Sequence, residues 1–168
     1  MQQQAITDPA TCGATEMLIV RNDFLDAFAD LESAVVRVLR SCGVPAKGEP
    51  LSHKLKAFRT AEKTPLIAKS NLSQRDQIAD DIAALLPIRA DVVHSRMQLC
   101  TIDGQTAAIF VNGQESGLLF PPARVLNLSD MRQLVAMTHR LVERIAGLKR
   151  INPASSPLPP SPDAAGGP

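Results

Sequence analysis

From Thr15 onward the apolar positions of this chain fall into helical register. Phe24, Phe28, Leu31, Val35, Val38 and Cys42 recur at alternating spacings of four and three, which draws one stripe along a long helix. Gly43 supplies its stop, with Pro45 just beyond. So regular a stripe suits packing against a long antiparallel helix of the same chain, the commoner case, or against a second subunit. A shorter helix is predicted over Leu51 to Lys63, with Leu55 and Phe58 inward and Lys54, Lys56, Arg59 and Lys63 mostly outward. Thr64-Pro65 breaks it. Ser73 followed three residues later by Asp76 resembles a capping box, opening a helix that buries Ile78, Ile82, Leu85 and Leu86. Pro87 lacks the N–H that would reach the Ala83 carbonyl, and its ring crowds that turn. Either the helix kinks there or a new one begins with Pro87 at its first position. Both leave Arg89 to Ser95 helical.

The period then changes. Met97 to Ile102 and Gln105 to Val111 are β-prone runs joined by Asp103-Gly104, the signature of a type I′ hairpin. A two-residue turn pairs Met97 with Phe110, Leu99 with Ala108 and Thr101 with Thr106. That register sets Met97, Phe110, Leu99 and Ala108 on one face, able to lie on the helices. Asn112-Gly113 offers a further turn into a short third strand near Leu118 to Phe120. Pro121-Pro122 leads to a last helix, capped near Asn127 or Ser129, with Met131, Leu134, Val135, Thr138, Leu141, Val142, Ile145 and Leu148 along its inner face. Arg144, Lys149 and Arg150 fall near its C-terminus, where the helix dipole favours cations.

The expected fold is mainly α: a helical bundle of four main helices with a β-hairpin inserted before the last helix. Residues 1–14 are polar and aperiodic and read as a disordered N-terminus; 15–151 form the helical domain; 152–168 are a Pro-rich disordered tail. The tail's Pro157-Leu158-Pro159-Pro160 is a minimal PxxP, read as unfolded chain rather than a ligand.

Composition narrows the function classes. With five Phe and no Trp or Tyr, Ala, Leu, Val and Ile must fill the core. The net charge of +1 predicts no general attraction to phosphate backbones or anionic membranes, so a nucleic-acid role needs a local patch. No apolar run approaches the roughly 20 residues of a membrane helix, and Met1 to Ala14 does not read as a signal peptide. Cys12, Cys42 and Cys100 are odd in number and far apart, which fits neither a disulfide framework nor a zinc site; reduced thiols and a cytoplasmic location are expected. Asp23, Asp26, Asp30, Asp80 and Asp81 read as charge on exposed faces, and there is no Gly-rich phosphate loop. No metal and no cofactor is expected.

Candidate chemistry concentrates in Arg89-Ala90-Asp91-Val92-Val93-His94-Ser95. Arg89 and His94, five residues apart, are separated by roughly 140° around an ideal helix. The long arginine, or fraying near Ser95, is what would bring both to one cleft. A histidine exchanges protons near neutral pH, and an arginine grips phosphate with two N–H groups. Together they suit metal-free RNA cleavage, the base taking the ribose 2′-OH proton and the cation meeting charge on phosphate. At a helix C-terminus His94 also suits a purely capping role. Ser95, Arg96, Lys54 and Arg59 are the candidate binding residues beside the pair. The basic Leu51–Lys63 segment reads first as a solvated face, since no Tyr or Trp offers a stacking platform. Arg132 and His139 satisfy the same loose pattern and read as polar positions of an amphipathic helix.

Arg89-x-x-x-x-His94 on the third helix, preceded by Leu-Leu-Pro-Ile and followed by Ser and a hairpin, resembles the HEPN superfamily. The likeness in layout spans about Thr15 to Ile151, and the motif itself six residues. It implies an all-α bundle and a homodimer in which both subunits' Arg and His meet. For active members it also implies metal-independent endoribonuclease activity, often in toxin–antitoxin or phage-defence systems, with RNA as substrate and an antitoxin or other protein as partner. Family members usually carry a polar residue directly after the Arg, and here that residue is Ala90. Asp91, three before His94, either takes over the orienting role or pairs with Arg89 on the surface. An inactive, protein-binding or scaffold relative is the alternative that this departure opens.

Overall fold

The computed structural model describes residues 9–46, 48–60, 67–68, 71–111 and 123–148. Four helices and a small antiparallel sheet follow one another as α1 (Pro9–Ser41), α2 (Leu51–Arg59), α3 (Leu72–His94), β1 (Arg96–Ile102), β2 (Gln105–Val111), β3 (Ala123–Asn127) and α4 (Leu128–Ala146). The architecture is mainly α, with the sheet placed before the last helix.

Helix α1 begins at Pro9, six residues earlier than the apolar stripe announces, so residues 9–14 are helical rather than frayed. Proline tolerates a first helical position because its missing N–H has no partner there in any case. The stripe is buried as spaced: Phe24, Leu31, Val35 and Val38 are at most 1% exposed. The helix ends in a Schellman turn, with the Gly43 N–H on the Arg40 carbonyl and the Val44 N–H on the Leu39 carbonyl. Gly43, at φ +72°, holds the left-handed conformation that this closure needs. The long partner of α1 is α4, within the same chain.

Helix α2 stops at Arg59, where Thr60 turns both its N–H and its hydroxyl onto the Lys56 carbonyl. The expected break at Thr64-Pro65 lies outside the described residues. Helix α3 starts at Leu72, with Asn71 as N-cap, one residue before Ser73. The expected Ser73–Asp76 capping box is therefore not formed; Asp76 Oδ1 instead accepts from the Arg75 guanidinium at 2.8 and 2.9 Å. Pro87 sits inside one uninterrupted helix, its side chain exposed, so no new helix starts there.

The hairpin has the expected register: Met97 pairs with Phe110, Leu99 with Ala108 and Thr101 with Thr106. Asp103 (φ 49°) and Gly104 (φ 74°) are both left-handed, as a type I′ turn requires. A third strand is present at Ala123–Asn127, pairing antiparallel with β2, so the element is a three-stranded sheet in the order β1-β2-β3. The expected strand near Leu118 to Phe120 falls outside the described residues. Phe110 and Ala108 are fully buried against the helices, whereas Leu99, on the edge strand, is 40% exposed.

Strand β3 runs directly into α4. Asn127 is the N-cap: its side chain accepts from the Asp130 N–H at 2.8 Å, and Asp130 returns the bond to the Asn127 N–H at 2.9 Å. Met131, Leu134, Thr138, Leu141, Ile145 and Leu148 are buried, and Thr138 satisfies its hydroxyl on the Leu134 carbonyl. Val135 and Val142 are half-buried at the margin of that core. Ion pairs bind the helices from outside, Arg144 to Asp81 and Arg59 to Asp80, each at 2.5 Å. No described helix is long and apolar enough to cross a membrane.

Candidate functional site

The C-terminal turns of α3 bring the candidate residues together in sequence, and helix geometry then parts them. Ile78, Ile82, Leu85 and Val92 define the buried side of α3. A residue step of about 100° turns Arg89 onto the same side as those four, towards α1. Its guanidinium carbon lies 5.9 Å from the centroid of the Phe28 ring, a cation–π contact. Arg89 also borders a groove of about 520 Å³ formed with Phe28, Glu32, Leu51 and Leu86. His94, five residues on, is exposed on the far side of the helix. One copy of the chain therefore does not aim Arg89 and His94 at a common point.

Asp91 is half-buried on the outer side, within about 60° of His94 by helix geometry. Its Oδ2 accepts from Arg124 Nε of β3 at 2.7 Å. The carboxylate expected to orient the imidazole, or to pair with Arg89, is thus held by an arginine from another element. Ser95 closes the helix, its N–H on the Asp91 carbonyl at 3.0 Å, and its Oγ is buried with no hydrogen-bond partner among the described residues. Arg96 is exposed at the start of β1.

Two of the proposed binding residues lie elsewhere. Lys54 is not on a solvated face: it is 6% exposed and donates to Glu32 Oε1 at 2.5 Å. A lysine this deeply buried needs a counter-charge, and Glu32 of α1 supplies it. Arg59 is exposed but paired with Asp80, about 21 Å along α3 from His94 at 1.5 Å per residue. Arg132 is paired with Glu16 of α1, and His139 is exposed on α4.

The structure adds two arginines that sequence reasoning missed. Arg21 of α1 donates Nη2 to the Val92 carbonyl at 2.9 Å, taking up one of the free carbonyls at the end of α3. A signal for it exists, since Arg21 extends the Phe24–Phe28–Leu31 stripe backwards at a spacing of three. Arg124 had no comparable signal, because β3 itself was not read. Arg21, on the Val92 carbonyl, and Arg124, on Asp91, both reach the last turns of α3. Among the described residues no three His, Cys, Asp or Glu side chains gather as a metal site would require.

Elsewhere, burial pushes the Asp81 carboxyl up, but hydrogen bonds from Arg144 and Gln77 and the charge of Arg144 outweigh it and hold Asp81 below the usual carboxylate range. This group belongs to the α3–α4 contact, away from His94.

Comparison with protein-family models, with curated proteins and with solved structures finds no match.

Proposed function

We propose that this chain is a HEPN-like protein that acts on RNA as a homodimer, with the end of α3 as its site and metal-independent endoribonuclease chemistry of the toxin–antitoxin or phage-defence type. The observation that carries the reading is an exposed imidazole, His94, at a helix end two residues before exposed Arg96 and one helical turn from the Asp91–Arg124 pair. In the proposed reaction His94 takes the 2′-OH proton, the 2′-oxygen attacks the adjacent phosphorus to form a 2′,3′-cyclic phosphate, and the P–O5′ bond breaks, the leaving 5′-oxygen taking a proton from water. An arginine meets the charge developing on the non-bridging oxygens. Because Arg89 and His94 diverge on one helix, the reading places Arg89 of one copy against His94 of the other.

The test is cleavage of single-stranded RNA in excess chelator by the wild type, Arg89→Ala and His94→Ala. The proposal expects cleavage by the wild type and a loss of at least about a hundredfold in each variant, the scale of one general base or one electrostatic group. Cleavage that persists in both variants sinks it.

A second reading is a non-catalytic HEPN-like dimer that works as a protein-binding or scaffold module. Two observations favour it: Asp91 Oδ2 accepts from Arg124, and the residue after Arg89 is the apolar Ala90. An intact dimer that binds a protein partner but leaves RNA whole is the result it expects.

A further inference from the structure

Arg124 is built to do more than fasten β3 to α3. Among the described residues its guanidinium is held at one edge, Nε on Asp91 Oδ2 at 2.7 Å. No described residue accepts from its two Nη groups. Arg124 borders a hollow of about 360 Å³ lined with Asp91, Ala123 and Val125, and its side chain is 34% exposed. A carboxylate that fixes the Nε edge of an arginine leaves the Nη edge oriented and ready for a second acceptor, which lowers the entropy cost of binding one. His94 is three residues beyond Asp91, about 4.5 Å further along the axis and within about 60° around it. Arg124 and His94 therefore border one stretch of surface within a single copy, which Arg89 and His94 do not.

We infer that the Arg124 hollow is a phosphodiester-binding subsite for single-stranded RNA, seating a phosphate next to the one that faces His94. The inference rests on the RNA reading above. Asp91 neutralises part of the Arg124 charge but engages only Nε among the described contacts, which leaves the Nη groups as donors for the oxygens of an anion. The ligand is one phosphate of a chain rather than a base, because the described lining residues offer no aromatic face to stack on.

The test is binding of a fluorescein-labelled single-stranded 2′-O-methyl RNA of mixed sequence, which has no 2′-OH to deprotonate and so stays whole, by anisotropy across a salt series. Wild type, Arg124→Gln, Arg124→Lys and Arg37→Gln are compared; Arg37 is an exposed arginine of α1 and controls for loss of any positive charge. Arg124→Gln is expected to weaken binding on the order of tenfold, as for one charge-assisted hydrogen bond. It should also make the plot of log affinity against log salt shallower by about 0.7, the value of one phosphate contact on a single strand. Arg124→Lys keeps a cation beside Asp91, which guards against misfolding, and restores that slope. Arg37→Gln leaves both quantities at the wild-type value. Wild-type slope in Arg124→Gln, or a lysine variant that behaves like the glutamine variant, overturns the subsite while the RNA reading stands. A wild type that binds no RNA overturns both.

Discussion

Arg124 and Asp91 form a 2.7 Å ion pair between residues 33 positions apart, tying the short strand β3 to the last turn of α3. The pair commits Asp91 Oδ2 to Arg124 and sets an arginine beside the last turn of α3. Both side chains are about a third exposed or less, so the pair lies between a surface bridge and a buried one. A double-mutant cycle on Asp91→Ala and Arg124→Ala, read by urea unfolding, is expected to give a coupling of about 1 kcal/mol. Strict additivity would mean that the pair does not hold the strand.

Lys54 and Glu32 are a less symmetric pair, since Lys54 is buried and Glu32 is 37% exposed at its side chain. Glu32→Ala strands a buried ammonium and is expected to cost about 1–3 kcal/mol, below the value for fully enclosed pairs because water reaches the site. Lys54→Met keeps the volume without the charge and should cost under about 1 kcal/mol. The reverse order in denaturation midpoints would show that the pair is ornamental.

Phe110 anchors the sheet on the helices and is fully buried. Phe110→Ala is expected to destabilise the protein by about 3–5 kcal/mol, through lost transfer energy plus the cavity left behind. A midpoint shift at unchanged denaturant slope is the signature of that effect.

Asp81 carries the pH dependence. Its folded-state pKa is depressed, so the unfolded chain binds the proton more readily and the Arg144 contact stabilises above the unfolded value of about 3.9. That stability is lost as pH falls through the lower folded-state value. Asp81→Asn should therefore melt below wild type at pH 7, and the gap should narrow as pH falls below the unfolded value and close once it has passed the lower folded-state value. A gap of the same size at both ends of the range would refute the assignment.

Much of this architecture could be read from residue order because it rests on local rules. Gly43 ends α1 since a left-handed residue is needed to close it, and Asp103-Gly104 sets the hairpin register since a type I′ turn admits little else. The misreadings share a different cause. Strand β3 is five residues long with Arg124 at its second position, and it exists because β2 offers it an edge, which no local pattern announces. Lys54 looks like a surface residue until Glu32 arrives from α1. Ser73 and Asp76 have the spacing of a capping box, but α3 starts ahead of them and Arg75 takes the carboxylate. The motif residues were legible as residue types; which way each one faces was settled by contacts with Phe28 and Arg124.

The central claim is that two copies of the chain complete the site, and subunit mixing tests it most directly. Arg89→Ala and His94→Ala subunits, each inactive alone, are unfolded together, refolded and assayed for RNA cleavage in chelator. If Arg89 of one copy serves His94 of the other, half of the random dimers are mixed and each holds one intact site, so about a quarter of wild-type activity returns. Continued inactivity of a mixture shown to contain mixed dimers would contradict the account.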